Sequence, residues 1–115
     1  MTVIIWHNPR CSKSRQTLAL LGDRGIEPTV VEYLKTPPDA AVLKATLKKL
    51  GMKPRDLLRK TEAAYKAHGL DDPAVSDDDI VAAMVEDPVL IERPVVIAGG
   101  KAALGRPPEA VLDIL

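Results

Sequence analysis

Two short runs of β-branched and aromatic side chains near the start of the chain constrain the fold more than any other feature. Residues 2–6 and 29–33 each have the composition of a strand. Ser12 or Ser14 can begin a helix between them, and the glycines within residues 22–25 provide its end. Two strands joined by one helix within about 30 residues form a βαβ unit, in which the strands are parallel and the crossover is right-handed.

The C-terminal part of the sequence predicts two more strands and a helix. Residues 94–97 return to strand composition, and the Gly-Gly pair at 99–100 fits the turn of a hairpin that leads into residues 101–104. The Pro-Pro pair at 107–108 then opens a final helix.

The segment between these two halves is predicted to be helical. Leu43, Leu47 and Leu50 recur at the spacing of an amphipathic helix. Ser76 and Asp79 form a capping-box arrangement at the start of a later helix. Three short helices are predicted at residues 55–60, 62–68 and 77–86, the last of them after Ser76.

The predicted order of elements, βαβ, several helices and then ββα, is the thioredoxin-like plan. The expected fold class is therefore α/β, with a thioredoxin-like mixed sheet and a helical insert at about residues 39–87 between its two halves. A chain of 115 residues has the usual length of one domain, so residues 1–115 are predicted to form a single domain.

Charge and composition exclude several classes of function. Sixteen basic residues balance sixteen acidic ones, and the aromatic residues are one Trp and two Tyr, which argues against nucleic-acid binding. The N-terminus lacks a basic segment and its apolar run is short, so we expect neither a signal peptide nor a membrane span. The expectation is a cytoplasmic monomer that binds neither nucleic acid nor membrane.

Cys11 is the single cysteine, and it follows the first predicted strand at the start of the first predicted helix. Free backbone N–H groups and the helix dipole stabilise a thiolate at such a position, and Arg10, Lys13 and Arg15 add positive charge. The pKa of Cys11 is therefore predicted to be low. A buried structural cysteine is the alternative, which the neighbouring cations disfavour.

Two motif tests narrow the chemistry of Cys11. Ser14 stands where a dithiol oxidoreductase carries its second cysteine, so an external thiol must resolve oxidised Cys11. A phosphatase loop with the C-x5-R signature would need Arg at position 17, where this chain has Thr17. No Cys/His cluster has zinc spacing, so no metal is expected.

Residues 7–15, His-Asn-Pro-Arg-Cys-Ser-Lys-Ser-Arg, resemble the active-site stretch of the glutaredoxin-coupled arsenate reductase (ArsC) family, and the resemblance covers nearly the whole chain. Residues 57–60, 92–94 and 105–107 match the places where that family carries its oxyanion-binding arginines. The resemblance thus implies that Arg59, Arg93 and Arg106 hold the substrate and take part in catalysis. Arginine suits this role because its planar fork binds two oxygens at once.

By resemblance, the function is the reduction of arsenate to arsenite by the Cys11 thiolate, with glutathione as co-substrate, glutaredoxin as partner and no bound cofactor. His7 would either support the thiolate as an imidazolium or cap the loop. Asn8 and Ser14 would orient the loop, and Arg10 and Arg15 would join the substrate-binding set. Pro94 occupies the place where thioredoxin-like folds usually hold a cis proline facing the active cysteine.

Two other functions stay open from the sequence. One is a redox regulator of the same family that binds RNA polymerase, which commonly carries a Cys-x-x-Cys switch, and Ser14 counts against it. The other is a glutathione-dependent thiol enzyme that acts on another oxyanion or an adduct. Outside the site, we expect Arg55 to form a surface ion pair beside Asp56, His68 to be a solvated helix end and residues 71–92 to face solvent.

Overall fold

A four-stranded mixed sheet, in the order β2-β1-β3-β4, organises the computed structural model, which describes residues 2–115. The strands are β1 (Val3–Trp6), β2 (Thr29–Val31), β3 (Val95–Ala98) and β4 (Lys101–Leu104). β1 pairs in parallel with β2 and antiparallel with β3, and β3 pairs antiparallel with β4. The predicted α/β class with a thioredoxin-like mixed sheet is confirmed.

Four α-helices and three 3₁₀ segments accompany the sheet in the described part of the chain. The α-helices are α1 (Ser12–Asp23), α2 (Ala40–Leu50), α3 (Ala63–Ala67) and α4 (Asp77–Glu86). The 3₁₀ segments are Pro54–Leu57, Pro88–Leu90 and Pro108–Ile114. Each 3₁₀ segment opens at a proline, whose missing N–H is tolerated in a first turn. The final helix and the helix predicted at residues 55–60 are thus 3₁₀ segments, the second of them shorter than expected.

The described chain divides into two compact units, residues 2–36 with 93–115, and residues 37–92. The sheet, α1 and the last 3₁₀ segment belong to the first unit, and the predicted insert lies within the second. The core of the first unit consists of Val3, Ile5, Leu21, Val96, Ala98 and Val111. No helix within residues 2–115 is long and apolar enough to cross a membrane.

In the second unit, backbone hydrogen bonds join the chain after the first 3₁₀ segment to the chain before β3. Leu58 and Ile91 form an isolated antiparallel bridge. The N–H of Arg59 donates to the carbonyl of Leu90 at 2.8 Å, and the N–H of Glu92 donates to the carbonyl of Leu57 at 2.8 Å. This pairing fixes the backbone of Arg59 beside the end of the insert.

Two expectations about polar residues in the second unit are wrong. Arg55 does not pair with Asp56, which instead accepts a hydrogen bond from the N–H of Lys53 at 3.1 Å. His68 is not a solvated helix end, because its Nε2 lies 2.6 Å from Oδ2 of Asp87 and only 22% of its side chain is exposed. Asp87 thus has a partner inside this unit, and Glu92 accepts a hydrogen bond from Arg59 at 2.9 Å, so neither belongs to a purely solvent-facing acidic surface.

Arg55 instead joins two distant backbone carbonyls. Its Nη1 donates to Leu70 at 2.8 Å and its Nη2 to Asp72 at 3.1 Å. Hydrogen bonds from a charged donor are stronger than neutral ones, so Arg55→Ala is expected to lower the free energy of unfolding by about 1–3 kcal/mol. Urea unfolding would measure the change, with the exposed Lys49→Ala as the control. Equal effects of the two substitutions would show that the Arg55 contacts do not stabilise the fold.

Candidate functional site

The loop between β1 and α1 is held by hydrogen bonds to Asn8. The Asn8 carbonyl accepts from the N–H of Cys11 at 3.0 Å, and the Asn8 side-chain Oδ1 accepts from the N–H of Arg10 at 3.0 Å. The N–H of Asn8 itself donates to Oγ of Ser14 at 3.0 Å. Asn8 is buried, and these bonds satisfy its backbone groups and its side-chain oxygen and set the path of the backbone into Cys11.

Ser14 links this loop to His7. The Ser14 side chain is fully buried, and its Oγ lies 2.7 Å from Nδ1 of His7. Burial lowers the pKa of His7, Glu32 raises it and Arg15 lowers it, and the net result lies below the ordinary value. This lowered pKa disfavours the imidazolium form at pH 7, and the contact with Ser14 fits the loop-capping role, while the role of His7 stays a prediction. Because Ser14 Oγ accepts a hydrogen bond from the N–H of Asn8, its hydroxyl proton is available to donate to Nδ1 of His7.

The two arginines beside Cys11 differ in their surroundings. Arg15 extends its guanidinium back to the loop, where Nη1 donates to the carbonyl of Pro9 at 2.9 Å. Arg10 is exposed. Arg15 thus stabilises the loop, while the predicted binding of substrate by Arg10 and Arg15 stays a prediction.

Cys11 precedes the first turn of α1 and is largely buried, with 9% of its surface exposed. Burial raises the pKa of the thiol, but the backbone N–H of Ser14, the side chain of Arg93 and the backbone N–H of Lys13 lower it, and the net pKa lies below the ordinary value. The sequence predicted the contribution of the helix N–H groups, but it attributed the remaining effect to the side chains of the neighbouring cations Arg10, Lys13 and Arg15. The structure assigns the effect to helix N–H groups and to Arg93.

The rate of alkylation of Cys11 should therefore reach its half-maximum at a pH below the roughly 8.5 of a free cysteine. The thiolate is the reactive form, so the rate rises as the pH increases through the pKa, and a lowered pKa moves this midpoint to lower pH. Iodoacetamide alkylation followed by mass spectrometry would measure it, with free glutathione as the reference thiol. A midpoint at or above that of glutathione would contradict the prediction.

Arg93 and Arg106 lie at two X-Pro junctions of the first unit. The Arg93-Pro94 and Arg106-Pro107 peptide bonds are both cis, so the cis proline expected at position 94 is present. Nη1 of Arg106 donates to the carbonyl of Arg93 at 3.1 Å. Because Arg93 also acts on the Cys11 thiol, the first unit brings Cys11, Arg93 and Arg106 together.

Gly105 is packed so closely that a side chain has no room. A Cβ added there would lie 2.5 Å from Oγ1 of Thr17 and 2.7 Å from Cγ of Pro94. Thr17 is fully buried and its Oγ1 donates to the carbonyl of Lys13 at 2.8 Å, so it cannot move without disturbing α1. Gly105 also donates its N–H to the carbonyl of Pro94 at 2.9 Å. This glycine therefore allows α1 and the chain around Pro94 to approach each other.

The substitution Gly105→Ala is accordingly expected to lower the free energy of unfolding by about 1–3 kcal/mol, the usual cost of overpacking. Gly100→Ala is the matched control, because a Cβ at Gly100 meets nothing within 4 Å. Thermal and urea unfolding of the two variants would measure the difference. Similar stabilities would mean that the contact with Thr17 and Pro94 relaxes without cost.

Arg59 lies in the second unit, where two carboxylates hold its side chain. Its Nε donates to Oε1 of Glu62 at 3.2 Å and its Nη1 to Oε1 of Glu92 at 2.9 Å. Only 17% of the Arg59 side chain is exposed. Neither carboxylate was predicted as a partner of Arg59 from the sequence. The i,i+3 spacing could have indicated Glu62, but nothing local indicates Glu92.

Comparison with known proteins places this site in a family. The chain matches the family described as the ArsC family over residues 6–114. The chain belongs to the ArsC family. An ArsC-family relative, the arsenate reductase of Rhizobium meliloti (strain 1021), is 50% identical over 115 residues, which cover 100% of this chain and 82% of the relative.

Two further relatives resemble the chain over nearly its whole length. The uncharacterized protein YfgD of Escherichia coli (strain K12) is 55% identical over 114 residues, covering 98% of this chain and 96% of that protein. The solved structure of an arsenate reductase from Vibrio cholerae superposes with a TM-score of 0.97 at 52% identity, covering 100% of this chain and 98% of that one. The ArsC resemblance predicted from the cysteine loop is thus confirmed.

The sequence-based site residues of this ArsC-family chain fall into two groups. Cys11, Arg93 and Arg106 lie in the first unit with the loop residues His7, Asn8, Arg10, Ser14 and Arg15, whereas Arg59 belongs to the second unit. Their assignment to catalysis or substrate binding stays a prediction. Within residues 2–115, no group of three His, Cys, Asp or Glu side chains converges where a metal ion could be held.

Proposed function

We propose that this protein reduces arsenate to arsenite through the Cys11 thiolate, with glutathione and glutaredoxin as the reductants. The observation that carries the proposal is the effect of Arg93 and the α1 N–H groups on Cys11, whose pKa they lower despite its burial. A stabilised thiolate beside a guanidinium suits attack on a tetrahedral oxyanion, because the cation both attracts the anion and keeps the nucleophile ionised. The names of the ArsC-family relatives support arsenate as the oxyanion.

The first half of the reaction forms bonds to arsenic. The Cys11 sulfur bonds to arsenic(V), and one arsenate oxygen leaves as water after taking up protons. Arg93 and Arg106 balance the negative charge of the remaining oxygens. Glutathione then forms a second sulfur–arsenic bond, and another oxygen leaves as water. Arsenic stays in the +5 state through both steps.

Electrons enter in the second half. A glutaredoxin thiolate attacks the glutathione sulfur, and the bond between that sulfur and arsenic breaks with its electron pair left on arsenic. Arsenic is thereby reduced to the +3 state, and a disulfide forms between glutaredoxin and glutathione. Hydrolysis of the bond to Cys11 releases arsenite and restores the thiol. An external thiol is needed because the chain has one cysteine, and a reducing compartment, the cytoplasm, supplies it.

A coupled assay tests this function. Purified protein is mixed with arsenate, glutathione, glutaredoxin, glutathione reductase and NADPH, and NADPH oxidation is followed at 340 nm. We expect turnover that requires arsenate, glutathione and glutaredoxin together. Replacing arsenate by phosphate or sulfate is the substrate control. Absence of turnover with arsenate, or equal turnover without glutaredoxin, would reject the corresponding part of the proposal.

A further inference from the structure

A groove of about 350 Å³ lies in the first unit, beside the loop that carries Cys11. Asn8 and Arg10 line it from the loop, and Glu32, Leu34 and Lys35 line it from the segment after β2. Sites for small molecules range from roughly 300 to 1,000 Å³, so the groove has room for a compact ligand. The mechanism described above gives no role to the segment after β2.

The charges of this groove match those of a particular kind of thiol. The wall carries two cations, Arg10 and Lys35, and one carboxylate, Glu32. Glutathione carries two carboxylates and one ammonium group, the complementary set. We propose that the groove binds glutathione, with Glu32 accepting a hydrogen bond from the ammonium group and Arg10 and Lys35 contacting the carboxylates. This inference rests on the proposed function, for which it supplies the site of the co-substrate.

The groove is available to such a ligand without the loss of a strong internal contact. Glu32 and Lys35 face each other at 3.7 Å, but 43% and 78% of their side chains are exposed. Exposed ion pairs contribute little to stability, so groups of a ligand can replace this one at small cost. Leu34 is 42% exposed at the same wall and offers an apolar contact for the methylene groups of the peptide.

The position of the groove suits the step in which glutathione acts. Asn8, which lines the groove, accepts a hydrogen bond from the N–H of Cys11 at 3.0 Å, so the groove wall and the nucleophile belong to the same loop. A thiol held there lies beside the loop that carries Cys11. In that step the glutathione sulfur bonds to the arsenic attached to Cys11, its proton leaves with an arsenate oxygen as water, and no electrons are transferred.

Binding can be tested without any turnover, because S-methylglutathione keeps all the charges of glutathione and cannot react. Titration into ¹⁵N-labelled protein should shift the amide signals of Asn8, Arg10 and residues 32–35. Glu32→Gln should raise the dissociation constant about 3- to 10-fold. Asp78→Asn is the matched control, since Asp78 forms the comparably exposed pair with Lys44 at 3.0 Å in the second unit. No binding, shifts confined to the second unit, or equal affinity of the Glu32→Gln variant would overturn the proposal.

A double-mutant cycle tests the contact between Glu32 and the ammonium group. Glutaryl-Cys-Gly lacks that group. With the unaltered protein, its KM should be several-fold higher than the KM for glutathione. With the Glu32→Gln variant, the KM values of the two thiols should be similar. The KM for arsenate should not change in the variant. Equal discrimination by both proteins would reject the contact. Failure of arsenate turnover would count against the proposed function but not against the groove, which the S-methylglutathione titration tests separately.

Discussion

Replacing Cys11 by serine is expected to abolish arsenate turnover and to leave the free energy of unfolding nearly unchanged. A serine hydroxyl stays protonated at neutral pH, so the helix N–H groups and Arg93 have no anion to stabilise. The exchange of sulfur for oxygen changes little of the packing at the start of α1. The coupled assay would measure turnover, and urea unfolding would measure stability.

Ser12→Ala is the control for the Cys11 substitution, because Ser12 is the exposed neighbour of Cys11 at the first position of α1. It should retain most of the activity. Residual turnover in Cys11→Ser comparable to that of the control would place the nucleophile elsewhere. Since the chain has no other cysteine, that result would also exclude a mechanism through a thiol of this protein.

Replacing Arg93 by alanine is expected to lower kcat/KM for arsenate by about 10- to 150-fold, the loss of one charge-assisted contact of roughly 1.5–3 kcal/mol. The same change should move the midpoint of Cys11 alkylation to higher pH, because the hydrogen bond and charge of Arg93 lower the pKa of the thiol. Arg93→Lys should keep part of the charge effect and lose the two-oxygen contact. Steady-state kinetics and alkylation against pH measure the two effects.

Arg24→Ala provides the control for Arg93, because Arg24 is an exposed arginine at the other end of α1. It should change neither kcat/KM nor the alkylation midpoint. A fall in activity without a shift of the midpoint would show that Arg93 acts on the substrate alone. No change in either quantity would mean that the site lies elsewhere.

The ArsC resemblance implies that Arg59 binds the oxyanion, but in the structure its guanidinium is already hydrogen-bonded to carboxylates. Two carboxylates, Glu62 and Glu92, already accept hydrogen bonds from its guanidinium inside the second unit. An oxyanion bound there would have to share a charge that these groups partly neutralise. The carboxylates also orient the guanidinium, since a side chain with two fixed bonds loses less rotamer freedom when a ligand binds.

The elements that the sequence alone determined are those whose causes are local. β-branched runs produced β1 and β3, and the Gly-Gly pair at 99–100 produced the hairpin turn between β3 and β4. At α4, Ser76 accepts from the N–H of Asp79 at 3.2 Å, as its spacing predicted. Such features depend on side chains a few residues apart, so their energies are already present in a short segment.

Only the tertiary structure decided which charges act on which groups. The sequence predicted that helix N–H groups and the adjacent cations lower the pKa of Cys11, yet the side chain that lowers it is Arg93, which precedes β3. His68 contacts Asp87, 19 residues away, and Arg55 contacts the carbonyl of Leu70, 15 residues away. Electrostatic and hydrogen-bond energies depend on distance in space and fall steeply with it, and spacing along the chain does not determine that distance once the backbone turns.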